Sequence, residues 1–196
     1  MGVVFPNISG GSKRNIKKLY DLVPDKSISF EEFYNRYNKY KVGEITREIF
    51  WAGITKNIDD IEHLYLDSYI LDENLNNIVM PLKNKYRIVA LTNHPSDWIR
   101  YLRQKHGLDT FFEEIFVSGE LKFKKTENRM YQKVIDKLGV NVKNCILIDD
   151  QKKNLAVAKT SGIKTIYLKN GEDKTDFKPD AEINSLEELK NIIYKI

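Results

Sequence analysis

Two hydrophobic rhythms divide this chain. From residue 87 onward, short apolar runs alternate with stretches whose apolar positions recur every three or four residues. The first rhythm is that of a buried strand, the second that of a helix with one buried stripe. RIVALT (87–92), EIFVS (114–118), CILIDD (145–150), KTIYL (164–168) and AEI (181–183) are the predicted strands. SDWIRYLRQKHG and NRMYQKVIDKLG read as helices closed by Gly107 and Gly139, KKNLAVAKTSG as a third, and SLEELKNIIYKI as a terminal helix. This β-α-β-α order with short connections predicts an α/β fold, a Rossmann-like parallel sheet with helices on both faces.

Residues 12–75 carry no strand signal. Ser29 before Glu32 and Thr46 before Ile49 are helix starts with Gly43 between them, and NIDDIEHLYLDSYI adds another amphipathic stretch. The expected organisation is a helical subdomain over 12–75, inserted in a core made of 1–11 and 76–196. The stretch LDENLNNIVMPLKN joins the two as a linker.

Composition narrows the function classes. At 196 residues, 41% apolar and 31% charged, the chain suits one folded domain with a modest insertion. The net charge is 32 − 28 = +4, with lysines interspersed among acids and no basic arm, which argues against a nucleic-acid partner. No apolar stretch reaches the length of a membrane span and no signal pattern opens the chain, so a cytoplasmic protein with no membrane partner is expected. The sequon Asn7-Ile8-Ser9 then has no secretory context, and the lone Cys145, inside an apolar run, reads as core packing.

Chemistry gathers at the strand ends. In open parallel sheets ligands bind beyond the carboxyl ends of the strands. Those ends here carry Thr92-Asn93, then Ser118 followed by Lys122, Lys124 and Lys125, then the adjacent acids Asp149 and Asp150. Neighbouring carboxylates repel unless a cation offsets them. A hydroxyl, a lysine and an acid pair on one edge can hold an anion together with Mg²⁺. Taken singly, each has a plainer role: Asp as a helix cap, Thr92 as a strand residue, the lysines as a solvated loop. His94, just after Thr92, reads as a loop-surface residue ahead of a substrate contact, His63 and His106 as helix residues, and Asp97 as a cap. Tyr34, Tyr37, Tyr40 and Trp51 read as core ahead of pocket.

VALTNHPSDW, VSGELKFKKTENRMYQKVIDKLGV and CILIDDQKKNLAVAKTSGIKTIYL resemble the second, third and fourth motifs of the haloacid dehalogenase superfamily. Its members are mainly Mg²⁺-dependent phosphatases, and YKVGEITREIFWAGI is similar to the small helical cap inserted after their first motif. The resemblance implies that Thr92 and Asn93 bind the phosphoryl group of a small phosphorylated metabolite. It implies Lys125 as the motif lysine, because KKTENRMY matches a KPDPEIY-like pattern with Thr126 in place of Pro. Asp150 would be the main Mg²⁺ ligand, Asp149 its support, and Asn154 would order the loop after the pair. A receiver domain also uses an acid pair, a Thr and a Lys, but in a different chain order. Dehalogenases need no Mg²⁺, so the acid pair favours phosphate chemistry.

The family's reaction starts from an Asp at the end of the first strand, which takes the phosphoryl group as an aspartyl-phosphate, with a second Asp two residues later as acid and base. The chain opens MGVVFPNISGG. Aligning Gly2-Val3 on the family's D-x-D-G-V puts the nucleophile before Met1, and the alternative register puts Pro6 and Ile8 at the two acid positions. Neither register supplies the attacking carboxylate, so the chain as given is expected to be inactive. An upstream piece of roughly ten residues is the expected remedy. Without it, 1–196 should be unstable or rescued by a re-registered GVVF strand. The alternative reading is a non-catalytic relative that binds a phosphorylated ligand or a protein partner. The sequence carries no signal for an oligomeric state.

Overall fold

The computed structural model describes residues 1–9, 11–169 and 175–196; Gly10 of the opening stretch lies outside them. Four helices come first: α1 (Ser12–Leu22), α2 (Phe30–Tyr40), α3 (Arg47–Trp51) and α4 (Ile58–Asp67). Both helix starts read from the sequence are built as caps. Ser29 Oγ accepts from Glu32 N at 3.2 Å, with Glu31 and Glu32 in the positive first turn, and Thr46 Oγ1 accepts from Ile49 N at 3.4 Å.

The expected linker after these helices is itself partly helical. α5 (Leu75–Leu82) buries Leu75, Ile78, Val79 and Leu82, which share one face. Pro81 lies close to the helix end, where it disrupts little of the hydrogen-bond ladder. Burial of that stripe overrides the Asn-rich, proline-containing composition that suggested a connector.

All strand pairings in the described residues are parallel. β1 (Val89–Thr92) pairs with β2 (Glu114–Val117), Thr92 standing opposite Val117. β3 (Ile146–Asp149), β4 (Lys164–Leu168) and β5 (Ala181–Ile183) form a second set in that spatial order. Helices α6 (Ser96–His106), α7 (Ser118–Leu121), α8 (Asn128–Leu138) and α9 (Lys152–Thr160) follow β1, β2 and β3 as the pattern requires. Gly107 and Gly139 close α6 and α8 in the left-handed conformation. The C-terminal stretch, expected as one helix, is a 3₁₀ turn at Leu186–Glu188 followed by the short α10 (Leu189–Ile192). Leu186 and Leu189, both buried and three residues apart, suit the tighter winding.

The sheet is split. Among the described residues no strand pairing joins β1 to β3, so each presents an unpaired edge. Burial follows the split: Thr165 to Leu168 of β4 are all buried, whereas Ile146, Leu147 and Ile148 of β3 and Val89 and Leu91 of β1 are half-buried. Parallel strands are ordinarily covered on both faces and both sides. The chain opening does not fill the gap as a re-registered strand. Residues 2–5 form a turn in which Val4 N (2.9 Å) and Phe5 N (2.8 Å) both donate to Met1 O. Phe5 holds this turn away from strand geometry by packing edge-on against Tyr69 and His106, and Val4 O accepts from Asp72 N.

One apolar core runs continuously from the helical region into the three-stranded set, through Leu19, Phe33, Phe50, Trp98 and Ile166. The buried Glu62 carboxylate of α4 ties the regions together. It accepts from Trp51 Nε1 (2.6 Å), Trp98 Nε1 (2.9 Å) and Arg47 Nε (2.7 Å).

Candidate active site

The tips of β1 and β3, with the loop after β2, meet at one cavity of about 90 Å³. Lys125 is the link. Its backbone N–H donates to Asn93 Oδ1 at 2.9 Å, and its ammonium donates to Asp149 Oδ2 at 2.6 Å. This ion pair is almost wholly buried, with side chains 7% and 1% exposed. The loop is fixed from below by Tyr131, whose hydroxyl reaches both Lys125 O (2.7 Å) and Asn154 O (3.0 Å). Of the three candidate lysines only Lys125 takes this place. Lys122 turns back to donate to Gly43 O at 2.8 Å, and Lys124 is half-buried on the loop.

The two acids differ in what holds them. Asp149 Oδ1 accepts from Asn154 Nδ2 (3.0 Å) and Gln151 N (2.9 Å), and Oδ2 is taken by Lys125. Burial alone would raise its pKa, but the Lys125 and N-terminal ammonium groups and these donors hold it below the ordinary carboxylate range. Asp149 is therefore a firmly held, ionised anchor. Asp150 lines the cavity with a weaker partner, Gln151 Nε2 at 3.3 Å from Oδ2. The Met1 ammonium lies among these groups; burial and Lys125 push its pKa down to about 6 against the pull of Asp150 and Asp149. Gly2 packs on Asp150 so closely that a Cβ there would overlap the carboxylate.

Thr92 sits beside the cavity without lining it. Its side chain is fully buried, and Oγ1 lies 2.7 Å from His94 Nδ1. His94 Nε2 in turn lies 3.3 Å from the Tyr69 hydroxyl, which donates to Tyr65. Burial, then the N-terminal ammonium, Lys125 and Lys41, push the His94 pKa well below its usual value, so the ring is neutral and has one donor and one acceptor. With Tyr69 donating onward, Nε2–H donates to Tyr69, and Nδ1 accepts the Thr92 hydroxyl proton. His94 is thus a half-buried member of the site, not the surface-loop residue its flanks suggested. Tyr37 and Tyr65 add aromatic surface to the cavity from α2 and α4. Trp51 and Tyr40 belong to the core, as expected, and Tyr37 is both buried and cavity-lining.

The remaining residues keep modest roles. His63 is exposed and stacks on Tyr101, His106 lies in α6, and Asp97 in the first turn of α6 accepts from Tyr40 OH at 3.2 Å. Cys145 is half-buried just before β3, with its thiol pKa raised by burial. Asn7 uses its side chain structurally, donating to Ser68 O at 2.7 Å and accepting from Ile70 N at 3.0 Å.

For a divalent ion the donor set is small. Among the described residues no group of three or more His, Cys, Asp or Glu side chains is placed to hold a metal, and Asp150 is the one acid lining the cavity. The pair nevertheless fits Mg²⁺, which binds through one or two carboxylates and takes its other oxygens from water and phosphate. Asp150, with one weak partner, has more acceptor capacity left for it than Asp149, which already accepts three hydrogen bonds.

Residues 9–162 match the family model of the haloacid dehalogenase-like hydrolases. Flavin mononucleotide hydrolase 1 of Arabidopsis thaliana is 24% identical over 142 residues, 72% of this chain and 58% of that protein. A phosphoglycolate phosphatase of Colwellia psychrerythraea is 24% identical over 130 residues, 64% of this chain and 58% of that protein. The chain thus spans less than two thirds of the length of these relatives. A HAD family enzyme of Bacteroides thetaiotaomicron, solved with magnesium and inorganic phosphate, superposes with a TM-score of 0.72 at 22% identity, covering 89% of this chain and 93% of that one. A 2-haloacid dehalogenase of Pseudomonas syringae superposes equally well, TM-score 0.72 at 14% identity, covering 100% and 95%. These neighbours share the fold, and one of them carries the ion the acid pair fits. No helix in the described residues is long and apolar enough to cross a membrane.

Proposed function

The chain belongs to the haloacid dehalogenase-like hydrolases, and from that premise we propose that its complete form removes the phosphoryl group from a small phosphorylated metabolite with Mg²⁺, in the cytoplasm. The observation that carries this reading is the buried Lys125–Asp149 pair at 2.6 Å, held by Asn93 and Asn154 beside the cavity-lining Asp150. Asp150 and, behind it, Asp149 would hold Mg²⁺, which when bound supplies positive charge for the phosphoryl oxygens. Lys125 adds a second fixed positive charge where negative charge develops in the transition state. Asn93, whose carbonyl is used by Lys125, offers its amide to a phosphoryl oxygen. Thr92 joins once its hydroxyl proton turns from His94. The helical residues 12–75 serve as the cap, with Tyr37 and Tyr65 limiting access. The cavity, at about 90 Å³, is far below the roughly 300–1,000 Å³ of pockets for drug-sized ligands, which favours a small substrate over a nucleotide. The phosphoglycolate phosphatases among the relatives point the same way and the flavin mononucleotide hydrolase the other, so the cavity size carries this preference.

Among the described residues Asp150 is the one acid lining the cavity, which supports a reading in which the attacking carboxylate is not supplied by 1–196. An additional parallel strand pairing β1 with β3, whose facing edges are unpaired among the described residues, would bring a carboxylate at its tip toward the cavity. The proposal is therefore that 1–196 binds phosphate with Mg²⁺ and does not turn over. The unfilled acid position also supports the second reading, a non-catalytic domain that holds a phosphorylated ligand. Para-nitrophenyl phosphate hydrolysis by 1–196 with Mg²⁺, beside Asp150→Ala, tests the assignment. Turnover that Asp150→Ala leaves intact contradicts it.

A further inference from the structure

His94 holds the hydroxyl that the phosphate reading assigns to the substrate. The ring lines the cavity, whereas Thr92 is fully buried and does not. The Thr92 hydroxyl has one proton, and His94 Nδ1, 2.7 Å away, takes it. On the other side of the ring Nε2 meets the Tyr69 hydroxyl at 3.3 Å, and Tyr69 donates onward to Tyr65 at 3.1 Å. The ring is thus engaged at both nitrogens, and in its neutral form it keeps the Thr92 proton from a ligand.

One added proton reverses the Thr92 bond. In an imidazolium both nitrogens donate. Nε2–H keeps Tyr69, and Nδ1–H donates to Thr92 Oγ1. The Thr92 hydroxyl proton then needs another acceptor, and a phosphoryl oxygen in the cavity supplies one. The hydroxyls around the ring stay protonated: burial pushes Tyr37 and Tyr69 well above the usual phenol range and Tyr65 up to about 12. Trp98 of α6 faces the ring without charge, and Ser118 Oγ bonds both the His94 and the Lys41 carbonyls. The charged groups are Lys125, the Met1 ammonium and Asp150, which line the same cavity, and Lys41 beyond Ser118. Burial and then the three cations hold the ring neutral, and a dianion bound among those cations shifts the balance the other way.

We infer that His94 is a positioning residue for Thr92, and that the site draws one solvent proton onto His94 Nδ1 as it binds a phosphoryl dianion, turning the Thr92 hydroxyl onto a phosphoryl oxygen. This rests on the phosphate reading above and adds a pH dependence to it. Binding that draws a proton onto the ring strengthens as pH falls through the midpoint of the liganded ring, and levels off below that of the free ring.

Nitrogen-15 spectra of the imidazole rings read this directly. The two ring nitrogens report tautomer and charge separately, and the chain has three histidines, of which His94→Gln removes the one in question. Without phosphate, His94 should be neutral and protonated at Nε2. With saturating inorganic phosphate and Mg²⁺ its titration midpoint should rise by about 1 or more, the effect of one opposite charge nearby, with the added proton on Nδ1. Thr92→Ser keeps the hydroxyl and should keep the rise, whereas Thr92→Val lacks it and should shrink the rise. An equal rise in Thr92→Val overturns the coupling through Thr92. A midpoint that does not move while phosphate binds, or a neutral ring that only exchanges Nε2–H for Nδ1–H, overturns the proton uptake and leaves the phosphate reading standing. Failure of inorganic phosphate to bind with Mg²⁺ overturns the phosphate reading and this inference with it.

Discussion

At the scale of single residues, the site divides into groups that are locked and groups that are free to bind. Lys125 and Asp149 are locked. Removing one partner of so buried a pair leaves the other charge unmatched, so Lys125→Ala should lower the unfolding free energy by about 3–5 kcal/mol. The exposed Lys13–Glu31 pair, with side chains 59% and 65% exposed, should contribute less than about 0.5 kcal/mol; urea denaturation of Lys13→Ala and Lys125→Ala measures both. Asp180 supplies a pH test away from the cavity. Burial opposes its charge, but Lys159 and the Thr165 hydroxyl and amide lower its pKa. A carboxylate depressed on folding stabilises the fold above its ordinary pKa and loses that contribution as pH falls through its lowered value. Asp180→Asn should therefore cost about 1 kcal/mol at neutral pH, and the gap from wild type should close in strong acid. A constant gap would show that the charge is not involved. The order Thr, Lys, Asp-Asp made most of these residues legible in the sequence. His94 was not, because its role depends on Tyr69, 25 positions earlier, and no local pattern reports such a contact.

Elements were legible where local chemistry agrees with burial. The Ser29 and Thr46 caps and the glycines after α6 and α8 fix ends that the chain itself announces. α5 was missed because asparagines and Pro81 argue locally against a helix, while its buried stripe argues for one only in three dimensions. The join between α4 and α6 carries a sharper consequence. Glu62 is buried and accepts from Trp51, Trp98 and Arg47. Glu62→Ala strands two indole N–H groups and a guanidinium, and should destabilise by about 3–5 kcal/mol. Glu62→Gln keeps one acceptor and should recover part of that loss in the same melts. Gly43, with φ of 67°, turns the chain from α2 toward α3 against the Gly119 carbonyl, and a Cβ there would overlap that oxygen. Gly43→Ala should thus be destabilising by more than the ~1 kcal/mol of a left-handed residue alone.

For the whole molecule, alternating strands and helices made the parallel α/β class readable, whereas the absence of a pairing between β1 and β3 among the described residues is a long-range matter that no local pattern reports. The paired β4 should resist exchange, and the edges should not. Hydrogen exchange followed by mass spectrometry should find peptides covering 89–92 and 146–149 losing protection well before 164–168; equal protection would contradict the split. The cavity brings together Lys125, Asn93 and Asp150, with Asp149 behind, and among the described residues Asp150 is the one acid lining it. We propose that 1–196 binds phosphate with Mg²⁺ and does not turn over. Calorimetric titration of inorganic phosphate, with and without Mg²⁺, into the wild type and Asp150→Asn tests it most directly, with para-nitrophenyl phosphate turnover recorded on the same samples. Mg²⁺-dependent phosphate binding is expected, weakened at least about tenfold by the substitution, with no turnover above that of Asp150→Asn. Absence of phosphate binding, or turnover by the wild type that Asp150→Asn abolishes, would contradict it.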